Sequence, residues 1–536
     1  MVKTSFEIGG KKITIELSRW RELHRSQLDG EKIFIPEYIS FHPENFQYIE
    51  KAGLPYIAFD GKADILSIYS GVVRQFPVFY FIKGKEIFLC DNAEKIPLKN
   101  RRLDFDSLLE FLGLGYTAER KTLFADISQL QAGELVEISK NGMKINDEYL
   151  YHSYNISNDN FSVLSDELLS ILKNIFEELM VALNGKLAVV PLSGGYDSRL
   201  VAAMLKMTGY ENVICANYGA KGNTTETPVS KIVCEKLKYR WLGVEYTDEM
   251  WQDFLKSSDF ERYIFDFRPH SFSAFPQIHE LPMIRKIADE TGNPEDVVII
   301  SGHSADFLAG SHIPQKISAK HSKIDAASEI FLYKQYRLRE KPIHNKILQS
   351  VRDEISRFAI SDEPYKLAQL INWRERQAKI IVNSNRMYEF YGFQWAMPFW
   401  DRRLVEFFSR GYLALLKNKE LYDVTLENLI FNKFGIDFDA PQNKRRRRLR
   451  KFFPMRYFSE QFIDRVKKIV RGKYVNPIGV DRFFRHLRPM AEEKFPDGYG
   501  KLKKIVSENF PYGDGISPHT PIVDFVASMF LEKFEL

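Results

Sequence analysis

The chain has 536 residues, too many for a single hydrophobic core and enough for two or three. Hydrophobic residues make up 44% and charged residues 27%, the balance of an ordinary globular protein, which excludes wholesale disorder. The formal net charge is +5, but seven basic residues fall between Lys444 and Lys451, so the rest of the chain is net acidic and its basic character is one local patch.

Only Cys90, Cys215 and Cys234 are present, without C-x-x-C spacing. That excludes a disulfide framework or a cysteine-rich metal site and fits a reducing compartment. Cys215 and Cys234 read as small core residues rather than nucleophiles. The opening MVKTSFEIGGKKITIEL alternates like a strand and carries no apolar signal core, and no uncharged run has membrane-spanning length. The expected location is the cytoplasm, with no membrane association.

In chain order, residues 1–150 read as one antiparallel, β-rich domain. PVFYFIKGKEIFLCDN gives two strands around Gly84, and LVEISKNGMKIN two more around Asn141-Gly142, a favoured hairpin turn. One helix interrupts them at FDSLLEFLGLGY, capped by Asp104 or Asp106 and stopping near Gly113 and Gly115. From about 160 the pattern changes to the long helix VLSDELLSILKNIFEELMVALNG, the buried strand LAVVPL and the helix DSRLVAAMLKMTG. Strand NVICANYG, helix TETPVSKIVCEKLKY, strand RWLGVEYT, a helix through LPMIRKIADETG and strand DVVIISG follow. This alternation predicts an α/β fold with a doubly wound parallel sheet over 160–435 and a mainly helical part after about 315. A basic helical extension is expected over 436–536.

The most informative segment is Ser193-Gly194-Gly195-Tyr196-Asp197-Ser198, where a buried strand turns directly into a helix. Adjacent glycines let backbone approach an anion, and the helix N-terminus adds partial positive charge in the same direction. Ser193 and Ser198 can donate hydroxyl hydrogen bonds. Asp197 would repel phosphate unless a cation lies between them, which predicts magnesium. A plain N-capped connection is the bland alternative for S-G-G alone. No Walker loop occurs. In a doubly wound sheet the ligand lies at the carboxyl ends of the strands. The strand ending at Tyr218 suits an adenine, and the one ending Ser301-Gly302-His303-Ser304-Ala305-Asp306 offers a second carboxylate for a magnesium clamp.

SGGYDS resembles the S-G-G-x-D-S pyrophosphate loop of the ATP-pyrophosphatase superfamily, whose members cleave ATP between the α and β phosphates. SGHSADFLAG resembles the S-G-E-G-x-D-E-x-F-G-G segment of asparagine synthetases, and GFQWAMPFWDRRLVEFF their later E-x-R-x-P-F-L-D-x-x-L-V segment. LQAGELVEI is similar to the L-x-P-G-E strand that closes their N-terminal domain. The resemblance runs from about residue 75 to about 435. It implies an adenine nucleotide alpha-hydrolase-like sheet behind an Ntn-hydrolase-like domain, with ATP and Mg2+ as cofactors. Ser193 through Ser198 would bind pyrophosphate, Leu192, Tyr218, Ser301 and Gly302 would touch the nucleotide, and Asp197 and Asp306 would hold magnesium. The resemblance also makes a homodimer the expected assembly.

The sequence departs from that family in three places. Val2 stands where the family's glutaminase has its cysteine, so the N-terminal domain is expected to be degenerate and inactive on glutamine. His303 replaces the glutamate of S-G-E-G and reads either as a general base or as a pocket-lining residue. Phe307 replaces the second acid of the D-E pair and suggests a more apolar pocket than aspartate needs.

The run from Lys444 to Lys451 admits a nucleic-acid patch, a solvated loop, or a replacement for the family's phosphate-contacting lysine loop, with Lys444 the candidate lysine. The function expected is an AMP-forming ligase that adenylates a small-molecule carboxylate and transfers it to ammonia or an amine, with a separate ammonia source allowed. By resemblance the acceptor is a uronic acid of a bacterial surface polysaccharide. Asparagine synthesis from aspartate is an alternative, and a nucleic-acid-directed, tRNA-modifying role ranks behind both.

Overall fold

The computed structural model describes residues 2–18, 20–23, 31–36, 49, 51–92, 95–151, 160–221, 226–267, 272–313, 322–335, 338–339, 346–358, 363–411, 413–438, 479–510 and 517–536. The basic run, and Lys444 with it, lies outside the described residues. No described helix is long and apolar enough to cross a membrane.

The β-rich region holds two sheets. Strands β1 (Val2–Ile8), β2 (Lys11–Leu17), β3 (Trp20–Leu23), β4 (Glu31–Pro36), β5 (Tyr56–Asp60), β6 (Ile65–Tyr69), β7 (Phe79–Lys83) and β8 (Glu86–Cys90) come first. Helix α1 (Phe105–Leu114) and strands β9 (Ser128–Gln129), β10 (Glu134–Ser139) and β11 (Gly142–Asp147) complete it. The sheet orders are β1-β2-β8-β7-β9 and β11-β10-β6-β5-β4-β3. Ile13, Ile15 and Leu17 of one sheet and Ile57, Ile68, Val136 and Ile138 of the other are fully buried in a shared core. The rings of Phe6 and Phe59 meet across it at 4.4 Å.

Local chemistry decided these elements. Asp104 caps α1 by accepting from Ser107 N, and Gly115 ends it at φ 86°. Gly84 at φ 61° turns β7 into β8, and Ser139 pairs with Gly142 across the β10–β11 hairpin. One pairing differs from the antiparallel expectation: β2 and β8 run parallel, Lys12 opposite Glu86. Two separate hairpins meet side by side there, and which edges touch is settled by the face each must bury.

The second region begins with α2 (Phe161–Leu183), capped by Asn160, and continues as β12 (Leu187–Pro191), α3 (Tyr196–Met207), β13 (Val213–Ala220), α4 (Thr227–Leu237) and β14 (Arg240–Tyr246). Then come α5 (Leu281–Thr291), β15 (Val297–Ile300), α6 (Ala305–Leu308) and β16 (Gln394–Ala396). All five strands are parallel, in the order β14-β13-β12-β15-β16. The order reverses between β12 and β15, so a crevice opens at their carboxyl ends. β16 was absent from the expected strands, because three residues carry no readable period and it becomes a strand only by adding to the edge of β15.

Helices α7 (Glu420–Leu426), α8 (Pro496–Asn509) and α9 (Thr520–Lys533) follow. The two halves are joined through buried polar contacts. Arg374 bonds Glu134 at 2.7 Å and Asp147 at 2.6 Å, Lys379 Nζ donates to Thr117 O at 2.8 Å and Glu119 O at 2.7 Å, and Trp373 Nε1 donates to Val72 O at 2.8 Å. The same segment reaches the turn before α6, where Ser304 Oγ donates to Gln377 Oε1 at 2.8 Å.

Candidate active site

Strand β12 continues past Pro191 through Leu192, whose N–H donates to Ala216 O at 2.7 Å and whose carbonyl accepts from Asn217 Nδ2 at 2.9 Å. The Leu192 side chain is buried, so only its backbone faces the crevice. The chain then closes on itself. Ser193 N donates to Ser198 Oγ at 3.0 Å, the two serine hydroxyls lie 3.0 Å apart, and Gly195 N donates to Ser193 Oγ at 3.2 Å. Arg199, fully buried, clamps the loop from behind by donating to Gly194 O at 3.2 Å, Ile436 O at 2.8 Å and Phe438 O at 2.9 Å.

Gly195 is the informative glycine. Its backbone is ordinary, φ −80° and ψ 171°, it is exposed, and a Cβ there would meet nothing nearer than Ser193 Oγ at 3.3 Å. The backbone is unstrained, and the one tight neighbour is a serine hydroxyl that need give only a few tenths of an ångström. What remains is the space in front of the loop at an uncapped helix N-terminus, where an anion would approach the backbone. Gly195→Ala should therefore cost about 1 kcal/mol of stability or less, while Mg-ATP affinity falls about tenfold or more. Thermal melts and nucleotide titration on the same sample check this, and unchanged affinity would show that the loop mouth is not used.

Asp197 lies in the first turn of α3 with both carboxylate oxygens engaged. Oδ2 accepts from the backbone N–H of Asp306 at 2.8 Å and Oδ1 from Tyr422 OH at 2.9 Å. Burial and then the negative charge of Asp306 push its carboxyl up to about 7, against Lys419 and the two hydrogen bonds. Asp306 accepts from Ser311 Oγ at 2.8 Å. Two acids this close together beside the Ser193–Ser198 loop fit a shared cation. No group of three metal-ligating side chains occurs among the described residues, and a pair suits magnesium, which takes one or two carboxylates and completes its shell with phosphate oxygens and waters.

The backbone at the end of β15 brings the acids together. Ser301 N donates to Ala396 O at 3.0 Å, and Gly302 lies so close to α3 that a Cβ on it would stand 2.7 Å from Ser198 N and 2.8 Å from Asp197 C. Ser304 is in the left-handed region at φ 74°, uncommon for serine, and is held there by its hydroxyl donating to Gln377 Oε1 at 2.8 Å. This turn aims the Asp306 N–H at Asp197.

His303 is half-buried beside them, its Nδ1 3.3 Å from Asn385 Nδ2. Tyr218 flanks the crevice from β13, stacked on Tyr246 at 5.3 Å and donating to Glu280 at 3.2 Å. Beside Tyr218 lies His279, whose ring is 6.2 Å from Tyr218 and 6.1 Å from His519. Burial, with His519 and His303 adding, pushes His279 down to about 3, and burial with Arg376 pushes His519 down to about 4. Both imidazoles are uncharged at neutral pH.

Three features were not anticipated from the string. Tyr422 and Lys419, contributed by or adjoining α7, act on Asp197 from more than 200 residues away, and no local pattern marks them. Phe307 does not line the crevice: it is fully buried among Tyr151, His312 and Trp400, so it sets core packing and not the polarity of the pocket. All three cysteines are buried. Burial pushes the Cys90 thiol far up, so it is not a thiolate.

A family model described as asparagine synthase matches residues 187–471, more than half of the chain and including the loop, both acids, His303 and Tyr422. No curated protein matches the chain.

Proposed function

Because the chain belongs to the asparagine synthase family, ATP-dependent amide-forming ligases, we propose that it joins a carboxylate to ammonia or an amine through an acyl-adenylate at the crevice between β12 and β15. The carrying observation is the 2.8 Å bond from Asp306 N–H to Asp197, which sets two acids at the mouth of the Ser193–Ser198 loop. In this reading a carboxylate oxygen of the acceptor bonds to the α phosphorus while the bond to the β-phosphate oxygen breaks. The leaving pyrophosphate is held by the Ser193 and Ser198 hydroxyls and the N-terminal N–H groups of α3. Magnesium bound by Asp197 and Asp306 would neutralise charge on the β and γ phosphates. The nitrogen nucleophile then attacks the acyl carbon and loses a proton to His303 or to a substrate group, and AMP leaves with the C–O electron pair. Lys419, which acts on Asp197 and pairs with Asp423 at 3.1 Å, would be a cation near the phosphates. Leu192, Tyr218, Ser301 and Gly302 bound the nucleotide side.

The β-rich region is read as a degenerate Ntn-hydrolase-like glutaminase domain. Val2 pairs with Leu17 in a strand, and Cys90, the sole cysteine of this region, is a buried thiol. Nitrogen would then come from free ammonia, an amine or a separate partner. For the acceptor we favour a hydroxylated sugar acid of the uronic type over aspartate, because the neighbouring His279 and His519 offer uncharged hydrogen-bonding edges. The reading places the enzyme in the cytoplasm as a homodimer.

A pyrophosphate-release assay with Mg-ATP across uronic acids and amino acids, each with ammonia, glutamine or a simple amine, tests all of this. The expected result is acid-dependent release with ammonia and AMP as coproduct, and none above background with glutamine alone. Full turnover on glutamine would overturn the reading of the β-rich region. Release with no acid in the panel would overturn the ligase reading of the site.

A further inference from the structure

Glu280 stands at the start of α5, where the helix N-terminus favours its negative charge, but it makes no capping hydrogen bond. Its side chain is buried, and both carboxylate oxygens are engaged elsewhere: Oε1 accepts from Tyr218 OH at 3.2 Å and Oε2 from Tyr388 OH at 2.8 Å. His279 Nε2, uncharged, lies 3.8 Å from Oε1. A carboxylate only accepts, so it obliges both phenols to donate and fixes the direction of each hydroxyl. The two tyrosines differ in place. Tyr388 is fully buried, three residues beyond Asn385, whose amide neighbours His303. Tyr218 is half-buried and flanks the crevice. Its ring is also held by Tyr246, stacked at 5.3 Å, whose hydroxyl donates to His279 O at 2.9 Å. The two-residue turn His279-Glu280 thus holds both stacked rings.

We infer that Glu280 is a positioning residue for the nucleotide: anchored in the core by Tyr388, it holds Tyr218 in the orientation in which the crevice accepts ATP. The inference rests on the reading of Tyr218 as part of the nucleotide side. Burying a carboxylate costs free energy that a neutral side chain would not incur. Here that charge supports no helix cap; of the two groups it fixes, one is core and the other is the tyrosine at the crevice. Charge-assisted bonds are about twice as strong as neutral ones, which suits a partner that must not rotate. A wall fixed beforehand loses less freedom when a ligand arrives, so holding Tyr218 raises affinity without adding a contact.

The experiment is calorimetric titration of the full chain with Mg-ATP and, separately, with magnesium pyrophosphate, for the wild type, Glu280→Gln, Tyr218→Phe and the double variant. Glutamine keeps the size of the side chain but offers one acceptor for two hydroxyls. Tyr218→Phe keeps the ring and removes only the bond, so it tests the same link should Glu280→Gln fold poorly, which thermal melts reveal. Each single variant should weaken Mg-ATP binding about fivefold to tenfold. The double variant should bind no more weakly than the weaker single one, because both changes remove one interaction. Affinity for magnesium pyrophosphate, which meets the Ser193–Ser198 loop and not Tyr218, should stay within about twofold. Effects on ATP affinity that add in the double variant would overturn the inference. So would a parallel loss of ATP and pyrophosphate affinity, which would make Glu280 a support of the whole fold. Wild-type protein that binds neither ligand would overturn the reading of the site itself, whereas binding by the wild type with unaltered variants defeats this inference alone.

Discussion

Asp197→Asn lowers acid-dependent pyrophosphate release by at least about 10²–10³-fold, the usual cost of removing one group that stabilises developing charge in a closed site. Asparagine fills the same volume and can still accept from Tyr422 OH, but it presents an N–H where Asp306 N–H needs an acceptor and it removes one of the two charges available to a cation. Stability should move little, because two effects oppose. The lost acceptor costs about 1–3 kcal/mol. Against that, the Asp197 carboxyl is raised in the folded chain to about 7, so the stability linked to its proton is present at low pH and lost as pH rises through that value; above it the wild type carries a charge that burial disfavours and the variant does not. Melts at pH 8 should therefore differ by a few degrees at most while activity is gone. An active Asp197→Asn enzyme would remove the acid pair from the chemistry.

Gly302→Ala is the second large effect, and it acts through backbone position alone. The added Cβ would stand 2.7 Å from Ser198 N and 2.8 Å from Asp197 C, both backbone atoms, so no flexible side chain can give way. The end of β15 and the first turn of α3 must move apart, at a cost of about 1–3 kcal/mol. Because the same contact registers Asp306 against Asp197, the catalytic loss should exceed the loss of stability: about 10²-fold in kcat/KM, as expected for displacing a reacting array by about 1 Å. Steady-state pyrophosphate release alongside circular dichroism checks this. The two glycines give opposite signatures. Gly302 is required by the protein's own packing, and Gly195 by what comes to the loop from outside. A Gly302→Ala protein as active as wild type would mean that the two acids need not be held in register.

Much of the site was legible because its instructions are local. The strand-loop-helix at Leu187 to Met207 is written in an apolar run, two glycines and a helix start, all within hydrogen-bonding reach of one another. Strand ends at the reversal of a parallel sheet converge, and the Asp306 backbone N lies 2.8 Å from Asp197 Oδ2. Asp104 and Gly115 likewise announced both ends of α1.

Turn chemistry, hydrophobic period and glycine placement act over a few residues, so the string by itself determined which segments became hairpins, the strands β12 to β15 and the Ser193–Ser198 turn. Contacts between distant segments are chosen by which faces bury together, and only the tertiary structure decided them. It set the three-residue β16 on the edge of β15 and ran β2 parallel to β8. It sent Phe307 into the core and brought Tyr422 and Lys419 to Asp197.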